Sequence, residues 1–122
     1  MEKIRKIKQK FELLAPAGSF PNLIAAVNAG ADAVYFGLQD FSMRANAKNF
    51  TLKDLDEIKK ICNSSPRKPK MYLTLNTIIY DKELEKIEEI IKKVKGKIDA
   101  VICWDLAVVQ LCKKYKIPFF IS

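Results

Sequence analysis

Residues 11–37, FELLAPAGSFPNLIAAVNAGADAVYFG, decide the fold. They read as a strand over Glu12–Ala15, a loop at Pro16-Ala17-Gly18, a helix from Phe20 to Ala29 and a second strand over Ala33–Phe36, closed by Gly37. Ser19 is placed to cap the helix. Pro21 falls in its first turn, where a missing N–H costs nothing, and Gly30 follows its last residue, where a left-handed stop is wanted. Both strands are short, apolar and without strict alternation, as strands covered on both faces are, so the unit is a parallel, right-handed crossover.

The same alternation continues outward. Gly37 opens a polar and aromatic stretch, Leu38-Gln39-Asp40-Phe41-Ser42-Met43-Arg44-Ala45-Asn46-Ala47-Lys48-Asn49-Phe50. Thr51, with Asp54 three residues on, begins a helix whose Leu52, Leu55, Ile58 and Ile61 keep helical spacing. A strand follows over Lys70–Leu75. Asp81 is expected to cap the next helix, with Leu84, Ile87, Ile91 and Val94 on one stripe and Gly96 as its stop. A fourth strand runs from Ile98 to Cys103, a helix turns Leu106, Val109 and Cys112 inward, and a fifth strand starts at Ile117.

The order βαβαβαβαβ places the chain in the α/β class and admits two architectures, an open doubly wound sheet or about half of a (β/α)8 barrel. Both put function at the carboxyl ends of the strands. The segments to watch are therefore Pro16–Gly18, residues 37–50, residues 76–80, Trp104-Asp105 and Ser122. A dinucleotide fingerprint needs three closely spaced glycines after the first strand, and Gly18 stands alone.

A length of 122 residues suits one domain, divided into a basic, flexible tail over residues 1–10 and a body over residues 11–122. The net charge is +8. The tail holds Lys3, Arg5, Lys6, Lys8 and Lys10 against Glu2, either to touch RNA or another polyanion or to solubilise the chain. The body's lysines are interspersed with Glu and Asp on helix faces, the look of a solvated surface. No apolar run reaches membrane-spanning length and no secretory signal is visible, so the expected location is the cytoplasm. Cys62, Cys103 and Cys112 have no metal-type spacing and read as reduced, buried thiols. The chain has no histidine, which excludes a Ser-His or Cys-His dyad within it and leaves Ser42 and Cys103 without a visible activator.

Arg44 leads the candidate site residues. It lies in the long loop at the expected active face, and its guanidinium fork suits a carboxylate or phosphate, against a plain packing role on Phe41 or Phe50. Asn76 leaves the third strand and is placed either to hydrogen-bond a substrate or to shape the turn. Asp105 is an acid or base candidate, though its place before Leu106 favours helix capping. Gly18 brings backbone close to the mouth, where a tight turn suffices to explain it.

Five ordered motifs, Glu12–Ser19, Ala29–Gly37, Phe41–Ala45 with Asn49-Phe50, Leu73–Thr77 and Asp99–Ile102, resemble the amino-terminal part of the collagenase-like peptidases, the U-thirty-two peptidase family. Asn49 joins the substrate-binding candidates through this match. The resemblance implies a (β/α)8-type barrel, a peptidase-related activity or, from other relatives, a part in the oxygen-independent hydroxylation of ribosomal RNA, transfer RNA or ubiquinone precursors. Some relatives hold a [4Fe-4S] cluster on four cysteines downstream of the matched part. Cys62, Cys103 and Cys112 match none of those positions, so no cofactor is expected on this chain. The expected partners are a peptide or RNA substrate, with no membrane. A barrel stopped in its fifth strand further implies truncation, with self-association or a partner chain covering the open edges.

Overall fold

The computed structural model describes residues 11–39, 50–75 and 83–122. Five strands, β1 (Leu14–Pro16), β2 (Ala33–Phe36), β3 (Lys70–Leu75), β4 (Ala100–Cys103) and β5 (Phe119–Ile121), alternate with four helices: α1 (Phe20–Asn28), α2 (Leu55–Asn63), α3 (Leu84–Val94) and α4 (Leu106–Lys114). The sheet is wholly parallel and its spatial order is its chain order, β1-β2-β3-β4-β5. That order decides between the two architectures. A doubly wound sheet reverses direction at a switch point and carries helices on both faces, whereas this one advances a strand at a time, as part of a β/α barrel does.

The local signals act as the residue types dictate. Ser19 Oγ accepts the Asn22 amide at 3.3 Å and Pro21 sits in the first turn of α1. Gly30 (φ +91°) and Gly96 (φ +84°) occupy left-handed positions after α1 and α3, which an L side chain enters only with strain. Asp54 Oδ2 accepts the Thr51 amide at 2.8 Å and opens the turn Leu52–Asp54 that leads into α2. The expected Asp81 cap lies outside the described residues.

Register sorts the strand residues onto two faces. Val34, Phe36, Met71, Leu73, Leu75, Val101 and Cys103 turn to the helices and join Leu23, Ile58, Ile87, Ile91 and Val108 in one continuous core. The opposite face carries a smaller cluster of Ala33, Tyr72 and Ala100 with Tyr35 and Ile102 against it, and no helix covers it among the described residues. In the register Tyr72 of β3 lies opposite Tyr35 of β2 and Ala100 of β4, with Ala33 in the same cluster. The Tyr72 and Phe120 rings meet at 5.3 Å over Ala100, while Leu14, Phe120 and Ile121 on the outer strands stay exposed.

Several boundaries move from those the sequence suggests. β1 begins at Leu14 rather than Glu12, because Leu13 is tied below the strand, and it takes in Pro16, whose missing N–H is tolerated on an outer strand. Ala29 caps α1 instead of continuing it. Asp99 precedes β4, and Pro118 precedes β5.

Two aspartates explain the shifts at the amino ends. Asp32 precedes β2 and Asp99 precedes β4, each followed by Ala-Val. Asp32 Oδ2 accepts the Leu13 amide at 2.9 Å and Asp99 Oδ2 accepts the Met71 amide at 2.7 Å, so each carboxylate satisfies an amide at the amino end of the adjacent strand. Arg67 closes the first clasp with a 2.9 Å ion pair to Asp32. The Leu13 amide, and the Arg67 guanidinium after it, hold the Asp32 carboxyl below the usual aspartate range.

Candidate functional site

At the carboxyl ends of the strands, backbone geometry fixes where each loop departs. The Ala17 amide donates to the Tyr35 carbonyl at 2.9 Å, which draws the Pro16-Ala17-Gly18 loop over the end of β2 and buries Ala17. Next to it, Leu38 bridges Phe50 in parallel and the Gln39 amide donates to the Phe50 carbonyl at 2.9 Å. The long loop therefore departs and returns at one place. Its return is anchored by Phe50, buried edge-on against Phe20 at 4.9 Å and Phe36 at 5.6 Å. One aromatic thus joins the start of α1, the end of β2 and the loop base.

Asp105 is the N-cap of α4, and its carboxylate accepts the Ala107 amide at 2.8 Å. Capping is the role its position favoured. On the same end of the sheet, Trp104 is half-exposed and Leu106 three-quarters exposed. Gly18 is not in the left-handed region, and a methyl group there would meet only Asn22 Nδ2 at an ordinary 3.9 Å. The turn alone does not require a glycine, contrary to the sequence reading. Arg44, Asn49 and Asn76 lie outside the described residues, although the structure sets the bases of both segments: Gln39 and Phe50 for the first two, Leu75 for the third.

Sequence reasoning missed a pair on the uncovered face. The buried Tyr72 hydroxyl donates to both Glu12 carboxylate oxygens, at 2.8 and 3.0 Å, reaching across Ala33. Burial first, and then the acceptor carboxylate, push the phenol up to about 12, so it stays protonated and donating. The contact joins residues 60 apart in sequence, and only the strand register reveals it. Thr74 Oγ1 on the same face donates to the Phe36 carbonyl at 3.1 Å.

All three cysteines are free and buried, as expected. Burial raises the Cys62 and Cys103 thiols above the ordinary value and takes Cys112 to about 11. A thiol so shifted is a poor nucleophile and a poor metal ligand at neutral pH. Among the described residues no group of three His, Cys, Asp or Glu side chains could hold a metal ion, so these cysteines do not fit an iron–sulfur site. Nor is any described helix long and apolar enough to cross a membrane.

A parallel sheet in chain order, helices on one face and loops gathered at the carboxyl ends define an α/β protein of consecutive βα units, as in part of a β/α barrel. The chain belongs to peptidase family U32, whose sequence profile matches residues 18–122. It is 40% identical over 114 residues to a collagenase of Porphyromonas gingivalis, covering 92% of this chain and 27% of that protein. It is 44% identical over 104 residues to an uncharacterized protease of Methanocaldococcus jannaschii, covering 84% of this chain and 25% of that one. Over 111 residues it is 32% identical to tRNA hydroxylation protein P1 of Bacillus subtilis, covering 90% and 26% respectively. The chain thus spans about a quarter of the length of these relatives. No solved structure matches it.

Proposed function

We propose that this chain forms the substrate-facing first strands of an RNA-hydroxylating member of the family, acting in the cytoplasm. The observation that carries this reading is the charge of the chain, since a segment that binds a polyanion needs donors and positive charge. A net charge of +8 suits a polyanionic substrate. The relatives named for tRNA hydroxylation support the same reading. In it, Arg44, Asn49 and Asn76 bind the phosphate and base edge of the reacting nucleotide.

Deleting the coding gene and analysing total tRNA and rRNA nucleosides by mass spectrometry tests this. The expected result is loss of one hydroxylated nucleoside, restored by the intact gene and not by an Arg44→Ala form. An unchanged nucleoside profile would overturn the reading. The second reading is peptidase action, favoured by the identity to the collagenase and the protease. It expects the same deletion to remove a gelatin-cleaving activity and leave the RNA unaltered.

A further inference from the structure

We infer that the amino-end rim of the sheet, opposite the candidate site, is a docking surface for the phosphate backbone of folded RNA; this rests on the RNA reading above. The rim consists of the last turns of α2, α3 and α4 and the loops that lead from them into β3, β4 and β5. Lysine and arginine side chains crowd these stretches: Lys60 at the end of α2, Arg67, Lys68 and Lys70 beyond it, four between Lys92 and Lys97, and three between Lys113 and Lys116. That is eleven of the fourteen cations among the described residues, and every one is exposed. The carboxylates near these amino ends are Glu12, Asp32 and Asp99, each already accepting a hydrogen bond from Tyr72, Leu13 or Met71. Of the other eight described carboxylates, Asp56 and Glu88 reach rim cations and the rest lie elsewhere, largely in the first turns of α2 and α3. Ion pairs with Asp32, Asp56 and Glu88 occupy Arg67, Lys97 and Lys114, and no ion pair among the described residues neutralises the other eight rim cations.

The ordinary cause of lysine at a helix end is the macrodipole, and it accounts for those in the last turns. It does not account for Arg67, Lys68, Lys70, Lys95, Lys97 and Lys116, which stand outside the helices. Two of these stand where lysine is disfavoured. Lys68 (φ +46°) and Lys116 (φ +57°) adopt left-handed backbone, the conformation that Gly30 and Gly96 supply after α1 and α3. A charged side chain kept at a strained position marks a place where the charge is used.

The chemistry of the rim selects the partner. Lysines act as point charges on phosphates without reading sequence, and the rim's one arginine is committed to Asp32. An anionic membrane would ask for apolar side chains among the cations. Of the exposed large apolar residues, Ile24, Trp104, Leu106, Phe120 and Ile121 fall elsewhere, and Phe11, Leu13 and Leu14 share the amino end only at β1, outside the stretches that carry the cations. The loops entering β3, β4 and β5 are neighbours, so their charges form one band across roughly 10 Å of sheet edge. RNA held along this band is gripped at one end of the sheet while the reacting nucleotide is presented at the other.

The test is fluorescence anisotropy of the 122-residue chain with unfractionated tRNA across a salt series. A rim triple, Lys68→Glu with Lys95→Glu and Lys116→Glu, is compared with Lys53→Glu, Lys59→Glu and Lys86→Glu, which changes net charge equally elsewhere. The rim triple is expected to weaken binding more than tenfold at 0.15 M salt and to lower the salt slope by about 2, with the control triple staying within about threefold. The double variant Lys68→Gly with Lys116→Gly is expected to weaken binding while raising Tm by a few degrees, which no misfolding produces. Equal losses from both triples, or binding that disappears only on removal of residues 1–10, would overturn the rim and leave the RNA reading standing. No tRNA binding by the parent chain, or binding to phosphatidylserine vesicles in its place, would sink both.

Discussion

At the amino ends of the strands, the Leu13 and Met71 amides are held by carboxylates from Asp32 and Asp99, and Arg67 closes one clasp. At the carboxyl ends the corresponding work falls to Phe50, wedged edge-on between Phe20 and Phe36. One end is fastened by charge-assisted hydrogen bonds to specific backbone groups, and the other by an apolar wedge at the base of a long loop. The difference teaches how the fold separates two demands. Clasps made to the backbone fix the register of the sheet, whereas a wedge fastens the foot of a loop at the end where β/α architectures place function.

Phe50→Ala is the severest way to break this contrast. It empties a buried site shared by three elements and is expected to lower stability by about 3–5 kcal/mol, read from the urea midpoint. A loss below about 1 kcal/mol would mean that the loop base is not anchored by the ring. Asp99→Ala leaves the Met71 amide without its acceptor at the start of β3 and is expected to cost about 2 kcal/mol in the same assay. Loss of the amide's slow hydrogen exchange would accompany it, and unchanged protection at Met71 would deny the clasp.

The smallest effect concerns pH. The Asp32 carboxyl is depressed in the fold, so its ionised form favours folding above the ordinary aspartate range of about 4 and loses that contribution as pH falls through the depressed value. The urea midpoint of the parent chain should therefore drop more steeply between pH 5 and pH 2.5 than that of Asp32→Asn. Parallel curves would show that the clasp contributes nothing in water.

Much of this contrast could be read from the sequence, and what could not follows from its physics. Leu84, Ile87, Ile91 and Val94 announce α3 because helical spacing is local, and Ser19, Thr51 and Asp105 announce their helix starts because capping spans two or three residues. The clasps join residues 19, 28 and 35 apart, and the Tyr72–Glu12 contact joins residues 60 apart, so only strand register brings them together. Arg67-Lys68 already reads as a basic loop suited to RNA, but the rest of the rim is hidden for another reason. Read around the helix, the charges of α3 are mixed, and this gave the impression of an ordinary solvated surface. Read along its axis they separate apart from Lys86, with Glu85, Glu88 and Glu89 coming before Lys92 and Lys93. Arg44, Asn49 and Asn76 fall beyond the described residues, so for them the sequence remains the ground of the assignment.

The sheet's chain-order arrangement also bears on how the molecule is made. Every strand pairs with the strand one crossover before it, and the two aspartate clasps close over 19 and 28 residues. Short closures carry a small entropic cost, and each described strand from β2 to β5 finds a partner laid down one crossover earlier. A chain emerging from the ribosome can therefore add one βα unit at a time to a template already laid down. Each Asp-Ala-Val repeat then acts as a latch that sets the register as soon as its own strand arrives.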